Sequence, residues 1–205
     1  YRERGVPVII GGYHATLLPE ETRQYCDALM LGEAEDVWRD IVKDAAAGSL
    51  KPEYRPTGRP DLAGIMPDRR IFADKKYMPL ALVESGRGCK FGCDFCSISA
   101  FYNRSYVYRP AKEVAEEVER TGKKLLFLVD DNVVADFDRA KALFRELAPL
   151  KVNWISQGTL NVTRDPELLE LMQKSGCAGM LIGFESLSSE NLKAMNKGFN
   201  EFAGG

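Results

Sequence analysis

The chain has 205 residues, of which 45% are hydrophobic and 28% charged, proportions that are ordinary for a globular protein. Its formal net charge of −2 provides no general attraction to nucleic acid or to an anionic membrane, and no apolar run approaches the ~20 residues that span a bilayer. The five cysteines do not follow the pattern of a secreted disulfide framework, and no signal peptide opens the chain. We therefore expect a cytoplasmic protein with no membrane span and no nucleic-acid partner.

The first segment alternates between strand-like and helix-like patterns. Apolar runs at 6–10 and 28–31 each predict a short strand. Helices are predicted to begin at Pro19 and, by the spacing of apolar residues, near Val37. This β-α-β-α order is typical of a parallel sheet, but two strands are too few to stand alone. We interpret residues 1–48 as the C-terminal part of a larger α/β domain.

Residues 49–79 differ in composition from the segments on either side. They contain five of the ten prolines, several interleaved Arg and Lys residues, and no sustained hydrophobic period. A connection of this length in a compact protein is either a linker or a functional loop. We interpret it as an interdomain linker that lies across a surface.

From residue 80 onward, a pattern of strand followed by helix occurs four times. The predicted strands are 80–84, 125–129, 152–156 and 180–184. Four helices are predicted. Three of them begin at Pro110, at Asp165-Pro166 and at Ser188, and the other contains Ala140. Successive βα units imply right-handed crossovers and a parallel sheet, in which ligands bind at the carboxyl ends of the strands.

Residues that can bind ligands follow each of these predicted strands. They are a loop with three cysteines, then Asp130-Asp131-Asn132, then Gln157, and finally Glu185-Ser186. Because the carboxyl ends of parallel strands lie at one edge of a sheet, we expect these groups to face one rim. The alternatives are that Asp130-Asp131-Asn132 only caps the next helix, and that Gln157 is an ordinary loop amide.

The loop after the first of these strands contains Cys89, Cys93 and Cys96. Thiolates bind soft metals and iron–sulfur clusters, and a tight loop lets several of them reach one metal centre. Free cysteines are often only small buried hydrophobic residues. The glycines in and before this segment instead indicate a loop and not a packed strand or helix.

The number of cysteines in the loop bears on the kind of metal. A structural zinc site needs four ligands, so zinc would have to recruit Cys26, Cys177 or His14 as well. Three thiolates on a four-iron cube leave one iron without a protein ligand, open to a small molecule. The residues alone therefore leave two interpretations, a zinc or electron-transfer site and an open catalytic cluster.

The C-x3-C-x2-C spacing, with Phe95 directly before the last cysteine, resembles the signature of the radical S-adenosylmethionine (SAM) enzymes. The resemblance implies that Cys89, Cys93 and Cys96 are metal ligands that hold a catalytic [4Fe–4S] cluster, and that SAM chelates the open iron. It further implies an external electron donor such as flavodoxin or ferredoxin, and cleavage of SAM to methionine and a 5′-deoxyadenosyl radical. Phe95 would then lie along the adenine of SAM.

The same resemblance implies roles for the strand ends. Asp130 and Asp131 stand where the family receives the amino group of SAM. Glu185 and Ser186 stand where it keeps a polar residue for the ribose or the amino acid moiety. Gln157 is assigned to contact with either SAM or the substrate.

Gly11 and Gly12, after the first predicted strand, resemble the late Gly-Gly loop of cobalamin-binding domains, where glycine lets the backbone approach the cofactor. The order of Gly-Gly loop, helix, proline-rich linker and cysteine loop is similar to that of cobalamin-type radical SAM proteins, as is the segment at 195–199. The resemblance implies an α/β fold. Residues 1–48 would be the C-terminal part of a Rossmann-like cobalamin-binding domain, and residues 80–205 a partial radical SAM (βα) barrel of TIM type.

The resemblance also implies a sequence that is cut at both ends. The earlier Asp-x-His-x-x-Gly loop of a cobalamin-binding domain is absent, and four βα units stand where the family usually has six. The expected activity is cobalamin-dependent methylation, or oxidative cyclisation, at an unreactive carbon of a small-molecule substrate. The alternatives are a radical SAM enzyme without cobalamin and a non-enzymatic zinc or electron-transfer iron–sulfur protein.

Overall fold

The structure is a computed structural model that describes residues 1–72 and 75–201. The chain divides into two compact units, one from Tyr1 to Pro60 and one that begins at Asp61. Each unit contains a parallel sheet, so the predicted α/β fold is confirmed. Positions 73–74 of the predicted linker and positions 202–205 of the predicted barrel lie outside the described residues. Within the described ranges, no helix has the length and apolar character needed to cross a membrane.

The first unit contains a three-stranded parallel sheet in the order β1-β2-β3. Its elements are β1 (Ile9–Gly11), α1 (Tyr13–Leu17), α2 (Pro19–Arg23), β2 (Ala28–Met30), α3 (Trp38–Ala46) and β3 (Glu53–Tyr54), with a 3-10 helix at Arg2–Arg4. Leu29 of β2 packs with Ala15 of α1 on one face of the sheet. Ala28 and Met30 project to the other face and pack with Ile41 of α3. The sheet is therefore covered on both sides.

Strand β3 lies in the segment 49–79, which the sequence predicts to be a linker. The backbone N–H of Leu31 donates to Tyr54 O at 2.9 Å, so this part of the segment extends the sheet. The Tyr54 side chain is buried, and its hydroxyl donates to Asp44 Oδ2 at 2.8 Å. A strand of two residues flanked by prolines is too short to show a hydrophobic period, and for this reason the sequence pattern does not reveal it.

The later part of the same segment packs on the second unit. The backbone N–H of Gly64 donates to Glu113 Oε2 at 2.8 Å. Residues Arg69–Phe72 form a 3-10 helix, and the Arg69 guanidinium donates to Leu82 O at 2.6 Å. Residues 61–72 therefore lie across the surface of the unit to which they belong.

The second unit contains a four-stranded parallel sheet whose order, β4-β7-β8-β9, follows the chain. Its elements are β4 (Leu80–Val83), β5 (Gly86–Gly88), α4 (Ser97–Phe101), β6 (Tyr106–Tyr108), α5 (Ala111–Thr121), β7 (Leu125–Leu128), α6 (Phe137–Leu147), β8 (Asn153–Gly158), α7 (Pro166–Lys174), β9 (Cys177–Ile182) and α8 (Ser189–Ala194). Short 3-10 helices lie at Ala148–Leu150, Leu160–Arg164 and Gly198–Asn200. Asp165 and Ser188 cap α7 and α8 as predicted, by accepting backbone N–H bonds.

Helices α5, α6 and α7 pack on one face of this sheet. Phe144 of α6 stacks on Trp154 of β8, with ring centroids 4.8 Å apart. On the opposite face, Leu82, Ile155 and Leu181 are 54%, 36% and 63% exposed, so that face is apolar and open. Helices on one face only are typical of a (βα) barrel, whereas a doubly wound sheet carries helices on both.

A two-stranded antiparallel sheet, β5-β6, flanks the cysteine loop. The glycines of β5 were expected to lie in the loop itself, and the structure corrects this by pairing Gly86 with Tyr108 and Gly88 with Tyr106. Only glycine fits at Gly86, because an added Cβ would lie 2.8 Å from Val107 O and would overlap the Tyr106 hydroxyl. The close approach of β6 therefore explains the glycine that precedes the loop.

Candidate active site

Cys89, Cys93 and Cys96 lie between β5 and α4, on a loop that follows the carboxyl end of β4. All three are free thiols of intermediate exposure. Burial raises the pKa of the Cys93 thiol, the nearby Lys197 ammonium lowers it, and Cys96 and Cys89 raise it again. Cys89 and Cys96 are therefore close enough to Cys93 to affect its thiol.

The donor set fits an iron–sulfur cluster. Among residues 1–72 and 75–201, no three His, Cys, Asp or Glu side chains form a group that could hold a metal ion. A structural zinc site requires four ligands around a single centre. Thiolates on a four-iron cube each bind a different iron, and they are the ligands that such clusters use. Binding of cationic iron would also relieve the repulsion among the thiolates.

The loop after β7 contacts the first part of the cysteine loop. Asp131 Oδ2 accepts the backbone N–H of Gly88 at 2.7 Å. The amide Nδ2 of Asn132 lies 3.5 Å from Cys89 Sγ, and Asn132 is buried. Asp131 is thus near the cysteines, as the sequence predicts. The sequence pattern places Asn132 among the ligand-capable residues at the strand ends without an individual role, and the structure adds its contact with sulfur.

Asp130 does not stand at the rim, where the sequence predicts it. It is fully buried, its Oδ1 accepts the Ser85 N–H at 2.7 Å, and its Oδ2 accepts the Ser85 hydroxyl at 2.5 Å. Burial raises the pKa of Asp130 to about 7, although hydrogen bonds from Ser85 and from the Gly86 backbone act in the opposite direction. The Tyr106 side chain is also hydrogen-bonded to Asp130, and burial raises the pKa of Tyr106. Asp130 follows buried Leu128 by two positions, so strand alternation turns it inward.

The alternative that Asp130-Asp131-Asn132 only caps the next helix is wrong. Helix α6 begins at Phe137, and its cap is Asp136, whose Oδ1 accepts the Arg139 N–H at 3.2 Å. The three earlier residues instead contact Ser85 between β4 and β5, the backbone of β5, and the cysteine loop.

The segment 195–199, which we call the clasp, packs against the cysteine loop. Asn196 Nδ2 donates to Gly92 O at 2.7 Å. The ring of Phe199 stacks on that of Phe91, with centroids 4.0 Å apart. Asn196 has a φ of 56°, in the left-handed region, which asparagine adopts more readily than most residues other than glycine.

Lys197 of the clasp joins two of the predicted site residues. Its Nζ donates to Glu185 Oε1 at 2.8 Å and lies 5.6 Å from the centre of the Phe95 ring. Glu185 also has a positive φ, 63°, and Phe95 is 55% exposed. The sequence pattern placed Lys197 in a family-like segment without giving it a role. Only the fold brings it to Glu185 and Cys93.

Gln157 and Ser186, which the sequence also predicts at the strand ends, have other surroundings than Glu185. Strand β8 continues to Gly158, so Gln157 lies within the strand and not after it. Its neighbour Ser156 is fully buried, and by strand alternation the half-buried Gln157 faces the open side of the sheet. Ser186 Oγ accepts the Ser188 N–H at 3.0 Å, so this hydroxyl stabilises the turn before α8.

In the first unit, Gly11 ends β1 and Gly12 precedes α1 with a φ of 93°. A Cβ on Gly11 would lie 3.1 Å from Met30 O, whereas Gly12 faces open space. The Thr16 hydroxyl donates to Gly12 O at 2.8 Å and accepts the Gly32 N–H at 2.9 Å, which fixes the loop. The close approach of β2 therefore explains Gly11, and Gly12 alone presents bare backbone to open space at the carboxyl end of β1, a surface that fits the close approach of a ligand.

A parallel α/β sheet with three free thiols after its first strand defines a candidate iron–sulfur protein of barrel type. Residues 83–202 match the model of the radical SAM superfamily, and the match covers more than half of the chain. The chain belongs to the radical SAM superfamily, and the family predicted from the cysteine spacing is confirmed.

Two known proteins are similar to the chain in sequence, and one solved structure is similar to it in fold. Bacteriochlorophyllide d C-12(1)-methyltransferase of Chlorobaculum tepidum is 35% identical, over 97% of this chain and 46% of its own length. Anaerobic magnesium-protoporphyrin IX monomethyl ester cyclase of Cereibacter sphaeroides is 29% identical, over 92% of this chain and 37% of its own length. The fold is also similar to that of the radical SAM methyltransferase TsrM from Kitasatospora setae, whose structure was solved with cobalamin and a [4Fe–4S] cluster bound. The TM-score is 0.70 at 17% identity, and the match covers 91% of this chain and 44% of TsrM. The chain thus spans less than half the length of each.

Proposed function

We propose that the protein is a radical SAM enzyme in which Cys89, Cys93 and Cys96 hold a [4Fe–4S] cluster, and that it acts on an unreactive carbon of a small-molecule substrate. The best support is the set of free, partly exposed thiols on one loop of a segment that matches the superfamily. When bound, the cluster supplies the electron that splits SAM into methionine and a 5′-deoxyadenosyl radical, with flavodoxin or ferredoxin as the external donor.

The chain's own residues would position SAM beside the cysteine loop. The exposed ring of Phe95 offers a face on which the adenine can stack. Glu185, held by Lys197, offers a carboxylate to the amino group or the ribose hydroxyls of SAM. Asp131 would receive the amino group of SAM, and it also fixes the backbone before Cys89.

We assign Asp130 a positioning role, because both of its carboxylate oxygens are engaged beneath the loop. Gln157 remains a candidate contact for SAM or the substrate, since it faces the open side of the sheet. We propose that Ser186 contacts SAM through its backbone, or through its hydroxyl once that group has released the Ser188 N–H. The apolar side chains of the open face are suited to exclude water from a reactive intermediate.

We infer that the outcome is cobalamin-dependent methylation of the substrate carbon, with oxidative cyclisation as the second candidate. A 35% identical relative is a methyltransferase, and TsrM binds cobalamin. The bare backbone at Gly12 supports cobalamin binding by the domain to which residues 1–48 are assigned. The cyclase relative is the observation that favours cyclisation.

The central experiment is anaerobic reconstitution with iron and sulfide, followed by incubation with SAM and dithionite. We expect about four iron and four sulfide per chain, and release of 5′-deoxyadenosine. Cys93→Ser should lose both, whereas Cys177→Ser, which changes a free cysteine of β9, should keep both. One bound zinc without sulfide would instead establish the non-enzymatic alternative.

Cobalamin binding is tested separately by absorbance titration of the full-length protein. We expect a spectral change that Gly12→Ala weakens, because a side chain would enter the proposed ligand surface. Gly48→Ala is the matched control, since Gly48 also has a positive φ, 67°, and also faces open space. A wild-type protein that gives no spectral change would favour a radical SAM enzyme without cobalamin.

A further inference from the structure

The buried amide of Asn132 lies between the cysteine loop and the end of β8. Asn132 is 2% exposed, and its Nδ2 lies 3.5 Å from Cys89 Sγ and 3.5 Å from Thr159 Oγ1. A buried amide without partners would cost about 1–3 kcal/mol, so buried donors are rarely left unpaired. Here both N–H groups have acceptors, and one acceptor is the sulfur of a proposed cluster ligand.

The orientation of this amide is determined by its neighbours. Asn132 Oδ1 accepts the backbone N–H of Val134 at 3.2 Å, and a backbone N–H can only donate. The Thr159 hydroxyl donates to Asn161 Oδ1, which leaves the Thr159 oxygen free to accept from Asn132. The nitrogen, and not the oxygen, of Asn132 must therefore face Cys89.

We propose that Asn132 tunes the reduction potential of the cluster through an N–H···S hydrogen bond to Cys89. The inference rests on the proposed function, since it requires that Cys89 binds the cluster. Hydrogen bonds to ligand sulfurs are among the factors that set the potential of iron–sulfur clusters. A reduced cluster carries more negative charge than an oxidised one, so a donor aimed at its sulfur stabilises the reduced form more. Asn132 is thus a positioning residue that acts through Cys89.

Removal of the donor should shift the reduction equilibrium toward the oxidised cluster about tenfold, the effect of one hydrogen bond to a charged group. Tenfold corresponds to about 59 mV for a one-electron couple. Asn132→Leu removes the donor without adding charge. Asn132→Asp keeps an oxygen for the Val134 N–H and replaces the donor with a carboxylate, so its potential should fall further.

The test is a redox titration of the anaerobically reconstituted protein, followed by electron paramagnetic resonance and normalised to cluster content. Asn196→Gly is the matched control, because it removes an amide contact to the same loop that ends on the Gly92 carbonyl and not on sulfur. Glycine also suits the positive φ of that position. We expect the wild-type potential in this control and lower potentials in both Asn132 variants.

The outcomes separate this inference from the function on which it rests. A wild-type protein that holds no cluster removes the proposed function. If the wild-type protein holds a cluster and Asn132→Leu has the same potential, the inference alone is removed. If the leucine variant does not retain a cluster, the same conclusion follows from an unchanged potential in Asn132→Asp. A potential that falls equally in Asn196→Gly also overturns it, because general loosening of the loop would then be the cause.

Discussion

The buried carboxyl of Asp130 should make the stability of the second unit depend on pH, and Asp130→Asn should remove that dependence. Burial raises the pKa of Asp130 in the folded protein to about 7, from an ordinary value of 3.8. The folded state therefore favours the protonated carboxyl. The corresponding stabilisation is fully present below the unfolded pKa and is lost as the pH rises through about 7.

The expected magnitude follows from the pH interval over which the two states differ. Between pH 5 and about pH 7, Asp130 is protonated in the folded protein and ionised in the unfolded chain. A difference of one bound proton over about two pH units changes the unfolding free energy by about 3 kcal/mol. The wild-type protein should therefore lose about 3 kcal/mol more than Asp130→Asn between pH 5 and pH 8.

The assay is urea unfolding of the apo protein at pH 5 and pH 8, in a Trp38→Phe background so that the buried Trp154 reports on the second unit. Asp138→Asn, which changes an exposed acid in the first turn of α6, is the control. It should show the wild-type loss of stability. If the Asp130→Asn protein loses as much unfolding free energy as the wild type between the two pH values, the buried carboxyl is not the source of the pH dependence.

Three further changes test contacts around the site. Glu117→Gln should lower the unfolding free energy by about 3–5 kcal/mol, because it deprives the buried guanidinium of Arg109 of its carboxylate. Denaturant unfolding measures this loss, and an unchanged midpoint of the unfolding curve would contradict it. Gly86→Ala should cost about 1–3 kcal/mol and lower the melting temperature, because its Cβ would lie 2.8 Å from a neighbouring carbonyl oxygen; a melting curve that superimposes on that of the wild type would exclude the clash. Phe199→Leu should speed amide hydrogen exchange in the cysteine loop about threefold to tenfold, through loss of the ring stack. The exposed Phe184→Leu serves as its control, and equal rates in the two variants would refute a role for the clasp.

The sequence predicted the elements that are long and regular. The strands β4 and β7 are apolar runs, β8 alternates buried and exposed residues, and each was predicted to within a few positions. The fourth strand was predicted at 180–184 but runs from Cys177 to Ile182, because Gly179 interrupts its hydrophobic run. Strands β3, β5 and β6 have only two or three residues each and, unlike the equally short β1 and β2, do not fall within a longer apolar run, so the sequence pattern does not reveal them.

The local part of the site was predictable, and the long-range part was not. Three cysteines in one loop can be read directly from their spacing. Strand β7 is apolar throughout, so its sequence carries no alternation that shows which of Asp130 and Asp131 turns inward. The contacts of Asn132 with Cys89 and of Asn196 with Gly92 join residues 43 and 104 positions apart, and a single sequence carries no signal for such pairs.

The bond between Gly92 and Asn196 has a consequence for how the protein is made. A ribosome that adds about 5–20 residues per second needs roughly 5–20 s to synthesise the 104 positions between them. During that interval the nascent thiols are already translated, but the segment that steadies their loop is not. The cysteine loop therefore reaches its final arrangement only after residues 195–199 have been translated.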